Sequence, residues 1–260
     1  MSSCARRAHF GLLVLALAIP IDLRAASVSA TFQLPERVRQ ADDFFLGRQT
    51  LENVRKGLGL LRAEAAADPQ NYQVWWRISK FLNYLARHTD DDEEELRLLE
   101  DGIVAGRRAV ALGLNQVEGH FWLGANLGMS AEEHGLIEGL RHVDEIRREM
   151  ETVMRLDPNY EQAAGMRTLA RVYYRCPFFK GGDKRRSILL LEKCLQHFPE
   201  DSLAWLYLAD SYEAIGRRED ARRALERILN LCPDPCYGPE LADNQAEARV
   251  RLAHDFHEGK

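Results

Sequence analysis

The stretch from Pro199 to Pro233 constrains the fold of this chain more tightly than any other. It reads Trp205-x2-Leu208-Ala209-x2-Tyr212, then Gly216, then Ala221-x3-Leu225-x2-Ile228, and its two prolines stand 34 residues apart. Apolar residues at three- and four-residue spacing on either side of one glycine describe two amphipathic helices joined by a turn. Each residue type has a mechanical reason. The small Ala209 and Ala221 let the two helices approach, while Trp205, Leu208, Tyr212, Leu225 and Ile228 fill the seam between them. Gly216 makes the turn, and Pro233 ends the second helix because it cannot continue one.

The pattern returns upstream with weaker residues. Asp68-Pro69, Gly113-Leu114, Asp157-Pro158 and Pro199 mark boundaries 45, 44 and 41 residues apart. Trp75, Ile78 and Ser79 open one first helix, His120, Leu123 and Gly124 the next, and Met166, Leu169, Ala170 and Tyr173 the third. Residues 35–68 read as a degenerate first pair and residues 239–256 as a terminal helix. In order and spacing the units resemble the tetratricopeptide repeat. The expected fold is all-α: a solenoid of about five antiparallel helix pairs with a C-terminal capping helix, occupying residues 31–260. No alternation of strand period competes with it. With 46% apolar and 29% charged residues, the chain can fill a continuous core.

Residues 1–30 have a different character. Arg6, Arg7 and His9 precede an apolar run from Phe10 to Ile21, and Val28-Ser29-Ala30 offers small residues for a signal peptidase. They read as a cleaved secretory signal and place the mature chain in the periplasm; a retained anchor is the alternative. The apolar run is short for a membrane span, which needs about 20 residues. Cys4 lies before the run, so no cysteine stands where lipid attachment would require one. Without residues 1–30 the formal charge moves from −5 to −7, with 32 Lys+Arg against 39 Asp+Glu. That balance gives no support to nucleic-acid binding.

The upstream units exceed 34 residues mainly between their two helices. Enlarged loops are expected at 87–95, 128–136 and 175–182, and in a solenoid such insertions project from one edge, often a binding edge. The last, within RCPFFKGGDKRRS, invites a phosphate-cradle reading, but GxxxxGK[ST] is absent and Lys184 follows Asp183. Gly181 and Gly182 are better suited to a turn, Asp183 to capping the next helix, and Phe178 and Phe179 either to folding back onto the pair or to meeting a partner.

Together, WWRISKFLNYLA, HFWLGANLG, LARVYYRCPFFKGGDKRRS and the regular last repeat resemble the T-component of TRAP transporters, over about residues 35–256. That resemblance implies a periplasmic tetratricopeptide protein associated with the solute-binding protein of organic-acid uptake. Members are often lipoproteins, and this chain departs from them in lacking the lipid-accepting cysteine.

No arrangement of nucleophile, base and carboxylate can be assembled without inventing contacts, so the sequence reads as a non-enzyme without cofactor or metal. Cys232-x3-Cys236 with His254-x2-His257 lacks a standard zinc spacing. In an oxidising compartment Cys232 and Cys236 stand open between a small-loop disulfide and two free thiols. Cys194 falls at a core position and reads as a buried free thiol. The acidic run Asp90–Glu95 has no glycine turn or alternation of calcium ligands and reads as a solvated loop.

Arg167, Arg171 and Arg175 recur every four residues with Tyr174 beside them, at positions that in this repeat line the concave groove. Equivalent positions bring Trp76, Lys80 and Tyr84 in the second pair, Phe121 in the third, and Asp210 and Glu213 in the fifth. Such a groove suits a small carboxylate or a peptide, because guanidinium forks bind carboxylates with two prongs. The alternative is that these arginines balance acids on neighbouring helices. Two functions follow: a binding partner of a periplasmic solute-binding protein, or a general envelope scaffold holding proteins or peptides in its groove. A homo-oligomer is compatible with either.

Overall fold

The computed structural model describes residues 33–133, 135–233 and 238–255. The segment read as a signal, residues 1–30, lies outside them, as does Cys236. Leu34–Lys260 forms one compact unit.

Eleven α-helices make up most of the described residues. Five antiparallel pairs follow one another: α1 (Glu36–Leu46) with α2 (Leu51–Ala67), α3 (Tyr72–Arg87) with α4 (Asp92–Leu112), α5 (Val117–Glu133) with α6 (Gly135–Leu156), α7 (Tyr160–Arg175) with α8 (Lys184–His197), and α9 (Ser202–Glu213) with α10 (Arg218–Leu229). The capping helix is α11 (Gly238–Asp255). Among the described residues no helix is long and apolar enough to cross a membrane.

Most seam residues expected from spacing are the core, and Trp205 is half-buried against it. Leu208, Ala209, Tyr212, Ala221, Leu225 and Ile228 are buried together between α9 and α10. Ser79, Leu123, Leu169 and Ala170 are buried at the matching positions upstream. The register is also visible in a repeated hydrogen bond. Trp75 Nε1 donates to the Pro69 carbonyl at 2.9 Å, and Trp205 Nε1 donates to the Pro199 carbonyl at 2.8 Å, each clamping a first helix onto the boundary proline before it. Cys194 is buried as expected, and burial pushes its thiol up to about 12.

Two of the three expected loops are corrected. The segment 87–95 is a loop only at residues 88–91, because Asp92, Glu93, Glu94 and Glu95 form the first turn of α4. Acids there face the positive end of the helix dipole, and the Asp91 carboxylate accepts the Glu94 amide at 2.9 Å. The segment 128–136 is almost entirely helix, since α5 runs on to Glu133 and α6 begins at Gly135. Long helices, not a long loop, absorb the extra residues of that unit.

The third loop exists. After α7 the chain passes Cys176 and Pro177, makes a single 3-10 turn over Phe178–Lys180, and reverses at Gly181, whose φ of +80° favours glycine. A Cβ on Gly182 would overlap the Cys176 carbonyl, so this position needs glycine for space. Asp183 caps α8 by accepting the Arg185 and Arg186 amides at 2.9 and 3.1 Å. Phe178 and Phe179 do not fold back: they are 92% and 77% exposed.

Candidate functional site

The first helices of the pairs, with α6 and the α1–α2 turn, surround a cavity of about 850 Å³, within the range of ligand sites. Phe45 and Arg48 come from the first pair, Lys80 and Tyr84 from α3, Phe121 and Trp122 from α5, Leu140 and Val143 from α6, Arg171 and Tyr174 from α7, and Tyr207 from α9. The array is wound so that α11 reaches back to the α1–α2 turn. There the Arg48 guanidinium donates to both Glu240 oxygens at 2.9 and 2.8 Å, and its side chain is only 5% exposed. His88, at the end of α3, also meets Asp243 of α11 at 3.4 Å. A two-pronged pair between residues 192 apart in sequence therefore closes one side of the cavity.

Most residues expected at the groove are on this wall. Lys80, Tyr84, Phe121, Arg167, Arg171, Tyr174 and Arg175 all line the cavity. Trp76, Asp210 and Glu213 do not. The indole of Trp76 donates to Gln73 at 3.0 Å and lies under the Arg77 guanidinium, 4.1 Å from its centroid. Asp210 and Glu213 are held by Arg251 of α11 at 2.8 and 3.1 Å, because the capping helix covers that part of the last pair. Trp122, Phe45 and Tyr207 were not anticipated. Trp122 had a signal, as the neighbour of Phe121 in HFWLGANLG.

The arginine stripe is ion-paired along its whole length. Arg167 pairs with Asp201, a buried N-cap of α9. Arg171 reaches Glu132 at 3.1 Å and Asp210 at 2.5 Å, and lies over the ring of Tyr207 at 4.5 Å. Arg175 shares Glu132 at 3.2 Å. Burial alone would lower the pKa of Arg171, but Tyr207, Glu132 and Asp210 together raise it above the usual arginine value. The stripe thus has the geometry of charge balance between neighbouring helices while still facing the cavity.

Lys80 is different. Its ammonium makes no ion pair among the described residues and sits over the rings of Phe45 and Trp122, 4.5 and 5.5 Å from their centroids. Burial, the largest influence on it, lowers its pKa. Aromatic faces offset part of the cost of desolvating a cation, by about 0.5 to 2 kcal/mol, and the Glu161 carboxylate, which lines the same cavity, attracts the ammonium and partly counters the effect of burial. In chemical terms the cavity offers an apolar, aromatic wall, a set of ion-paired arginines and the half-buried Lys80 ammonium.

The loop of Phe178 and Phe179 adjoins this wall through Cys176, Pro177 and Lys184. Cys232 is exposed on the stretch before α11.

The profile of a family described as regulator of microtubule dynamics protein 1-3 matches residues 37–168, just over half of the 260 residues and spanning α1 to the middle of α7. The chain belongs to the regulator of microtubule dynamics protein 1-3 family. A tetratricopeptide-repeat profile matches residues 180–237, the region of the regular last repeat. No curated protein matches the sequence. Among solved structures, a thermophilic tetratricopeptide protein of Thermus thermophilus is similar at 18% identity, covering 82% of this chain and 97% of that one, with a TM-score of 0.59. PilW, described as a widely conserved type IV pilus biogenesis factor, is similar at 15% identity, covering 86% and 94%, with a TM-score of 0.56. PilF of Pseudomonas aeruginosa is similar at 15% identity, covering 84% and 92%, with a TM-score of 0.53. These likenesses establish a tetratricopeptide solenoid, a fold associated with protein–protein interaction.

Proposed function

We propose that this chain is a non-enzymatic adaptor that encloses an apolar, acidic segment of a partner protein in its cavity, with a carboxylate of that segment on Lys80. The single observation that carries this reading is the half-buried Lys80 ammonium, held over two aromatic rings on a largely aromatic cavity wall while Arg48, Arg167, Arg171 and Arg175 already have carboxylate partners. A hydrogen bond to a charged group contributes about 1.5 to 3 kcal/mol. Lys80→Met should therefore weaken an acidic peptide by about 10- to 100-fold and leave its uncharged amide analogue almost unaffected.

The test starts from a displayed library of short peptides. The best binder is then made in acid and amide forms and titrated against wild type and Lys80→Met. Acid and amide bound equally by wild type would contradict the proposal. Because the ammonium must be protonated and the peptide carboxylate ionised, affinity should be lost at low pH, where the carboxylate takes up a proton. It should also fall as pH rises through a Lys80 pKa that burial holds below the ordinary lysine value.

A narrower reading makes the partner a periplasmic solute-binding protein of TRAP-type uptake. The motif from Tyr173-Tyr174 to Asp183 supports it, as does a cavity cation suited to organic acids. Small organic acids screened beside the peptides separate it: stabilisation of wild type but not of Lys80→Met favours this reading, and no response to any of them speaks against it.

A further inference from the structure

The loop after α7 carries more exposed apolar surface than a turn requires. Phe178 is 92% exposed and Phe179 77%, and Leu189 on the adjoining α8 is 66% exposed. The loop is nevertheless firmly held. The Lys180 and Gly182 amides both donate to the Pro177 carbonyl at 3.0 Å, the Asp183 amide donates to the Tyr173 carbonyl at 2.8 Å, and Arg147 donates to the Lys180 carbonyl at 2.6 Å. Neither phenyl ring takes part in any of these bonds, so holding the loop does not explain why the rings are aromatic.

The charge around the rings is equally one-sided. Residues 175–187 hold five cations and one acid in a chain of net charge −5. Arg175 is paired with Glu132, and Lys184 donates to the Tyr174 carbonyl. Lys180, Arg185 and Arg186 make no ion pair among the described residues, whereas every arginine of the α7 stripe has one. The tip projects two outward rings and is flanked by cations that lack carboxylates. It matches a surface that is apolar at depth and diffusely negative at its face.

We propose that the 176–183 loop and the first turn of α8 dock this protein on an anionic lipid bilayer. Phe178 and Phe179 enter the boundary between headgroups and acyl chains, and Lys180, Arg185 and Arg186 rest against the negative headgroups. Aromatic side chains favour that boundary, and a rigid turn places them there without ordering the loop on contact.

The test reads local contact at the tip in the full chain. Phe179→Trp keeps an aromatic ring and adds an emitter, and Val104→Trp places one on α4 at a position 65% exposed and outside the loop. Both are titrated with vesicles of brominated phosphatidylcholine, alone or mixed in equal parts with phosphatidylglycerol. The apolar run Phe10–Ile21 is common to all variants, so the readout is quenching at position 179 above that of the parent chain, not bulk partition. Each cation near an anionic surface contributes roughly fivefold, so quenching at 179 should reach half-maximum at about 100-fold less mixed lipid than neutral lipid. Val104→Trp should show no such added quenching. Combining Lys180→Glu, Arg185→Glu and Arg186→Glu should remove the preference for mixed vesicles. No quenching at 179 beyond the parent, or equal quenching by neutral and mixed vesicles, overturns the proposal. A blue shift at 179 that grows with protein concentration before vesicles are added also overturns it and assigns the tip to a second copy of the chain.

Discussion

Arg167→Met should destabilise the last two helix pairs by about 3 to 5 kcal/mol, the cost of leaving one partner of a buried ion pair behind. The partner is Asp201, whose side chain is 4% exposed at the start of α9. Its carboxylate also accepts the Ala204 amide at 3.0 Å, so it caps α9 while neutralising Arg167 from α7. Losing the guanidinium leaves a carboxylate that burial disfavours and that one amide satisfies only in part. Adding Asp201→Asn to Arg167→Met should recover much of the loss, because asparagine caps a helix as well as aspartate and carries no charge. Urea titration of the three proteins decides it. Equal midpoints for wild type and Arg167→Met would show that the pair has no structural weight.

The second large effect concerns the closure of the array. Glu240→Ala removes both oxygens that receive Arg48, whose side chain is 5% exposed, while Glu240 itself is 34% exposed. Breaking a pair that is buried on one side should cost about 2 to 3 kcal/mol, less than a fully buried pair because solvent reaches the carboxylate. The loss should be local. Amide exchange should rise in α11 and in the α1–α2 turn and stay unchanged in α5, since local opening follows the contacts removed. Arg48→Leu with Glu240→Leu should be more stable than Glu240→Ala alone, because no buried charge is left without its carboxylate. Uniform acceleration of exchange across all helices would mean that the bridge does not act as a local closure.

The two corrected loops share a physical origin. The seam was legible because Trp205, Ala209, Ala221 and their upstream counterparts pack within a single pair, where spacing along the helix determines which side chains meet. Local contacts of that kind also made Asp183 readable as a cap and Gly181 as a turn. Helix length was less legible. A unit with surplus residues can lengthen its loop or its helices, and the excess over 34 residues does not say which; in the segment 128–136 α5 and α6 take it up. The site was legible in part. Arg167, Arg171 and Arg175 were placed on the cavity side by their four-residue spacing, but the carboxylate partners of Arg167 and Arg171 come from α5, α9 and its N-cap, 34 to 39 residues away in sequence. The bridge from Arg48 to Glu240 was not legible, because it depends on the winding of five pairs. The displacement of Asp210 and Glu213 from the wall has the same cause, since α11 covers them only once the array has turned.

The central claim is that the cavity, and not the outer surface, holds the partner segment. The most direct measurement places a benzophenone in the middle of the selected acidic peptide, irradiates the complex and maps the adducts by mass spectrometry. Adducts should form on Tyr84, Trp122 and Met129, which line the cavity around Lys80, and should be lost in Lys80→Met at the same peptide concentration. Adducts on Phe178, Phe179 or Leu189, unchanged by Lys80→Met, would contradict it.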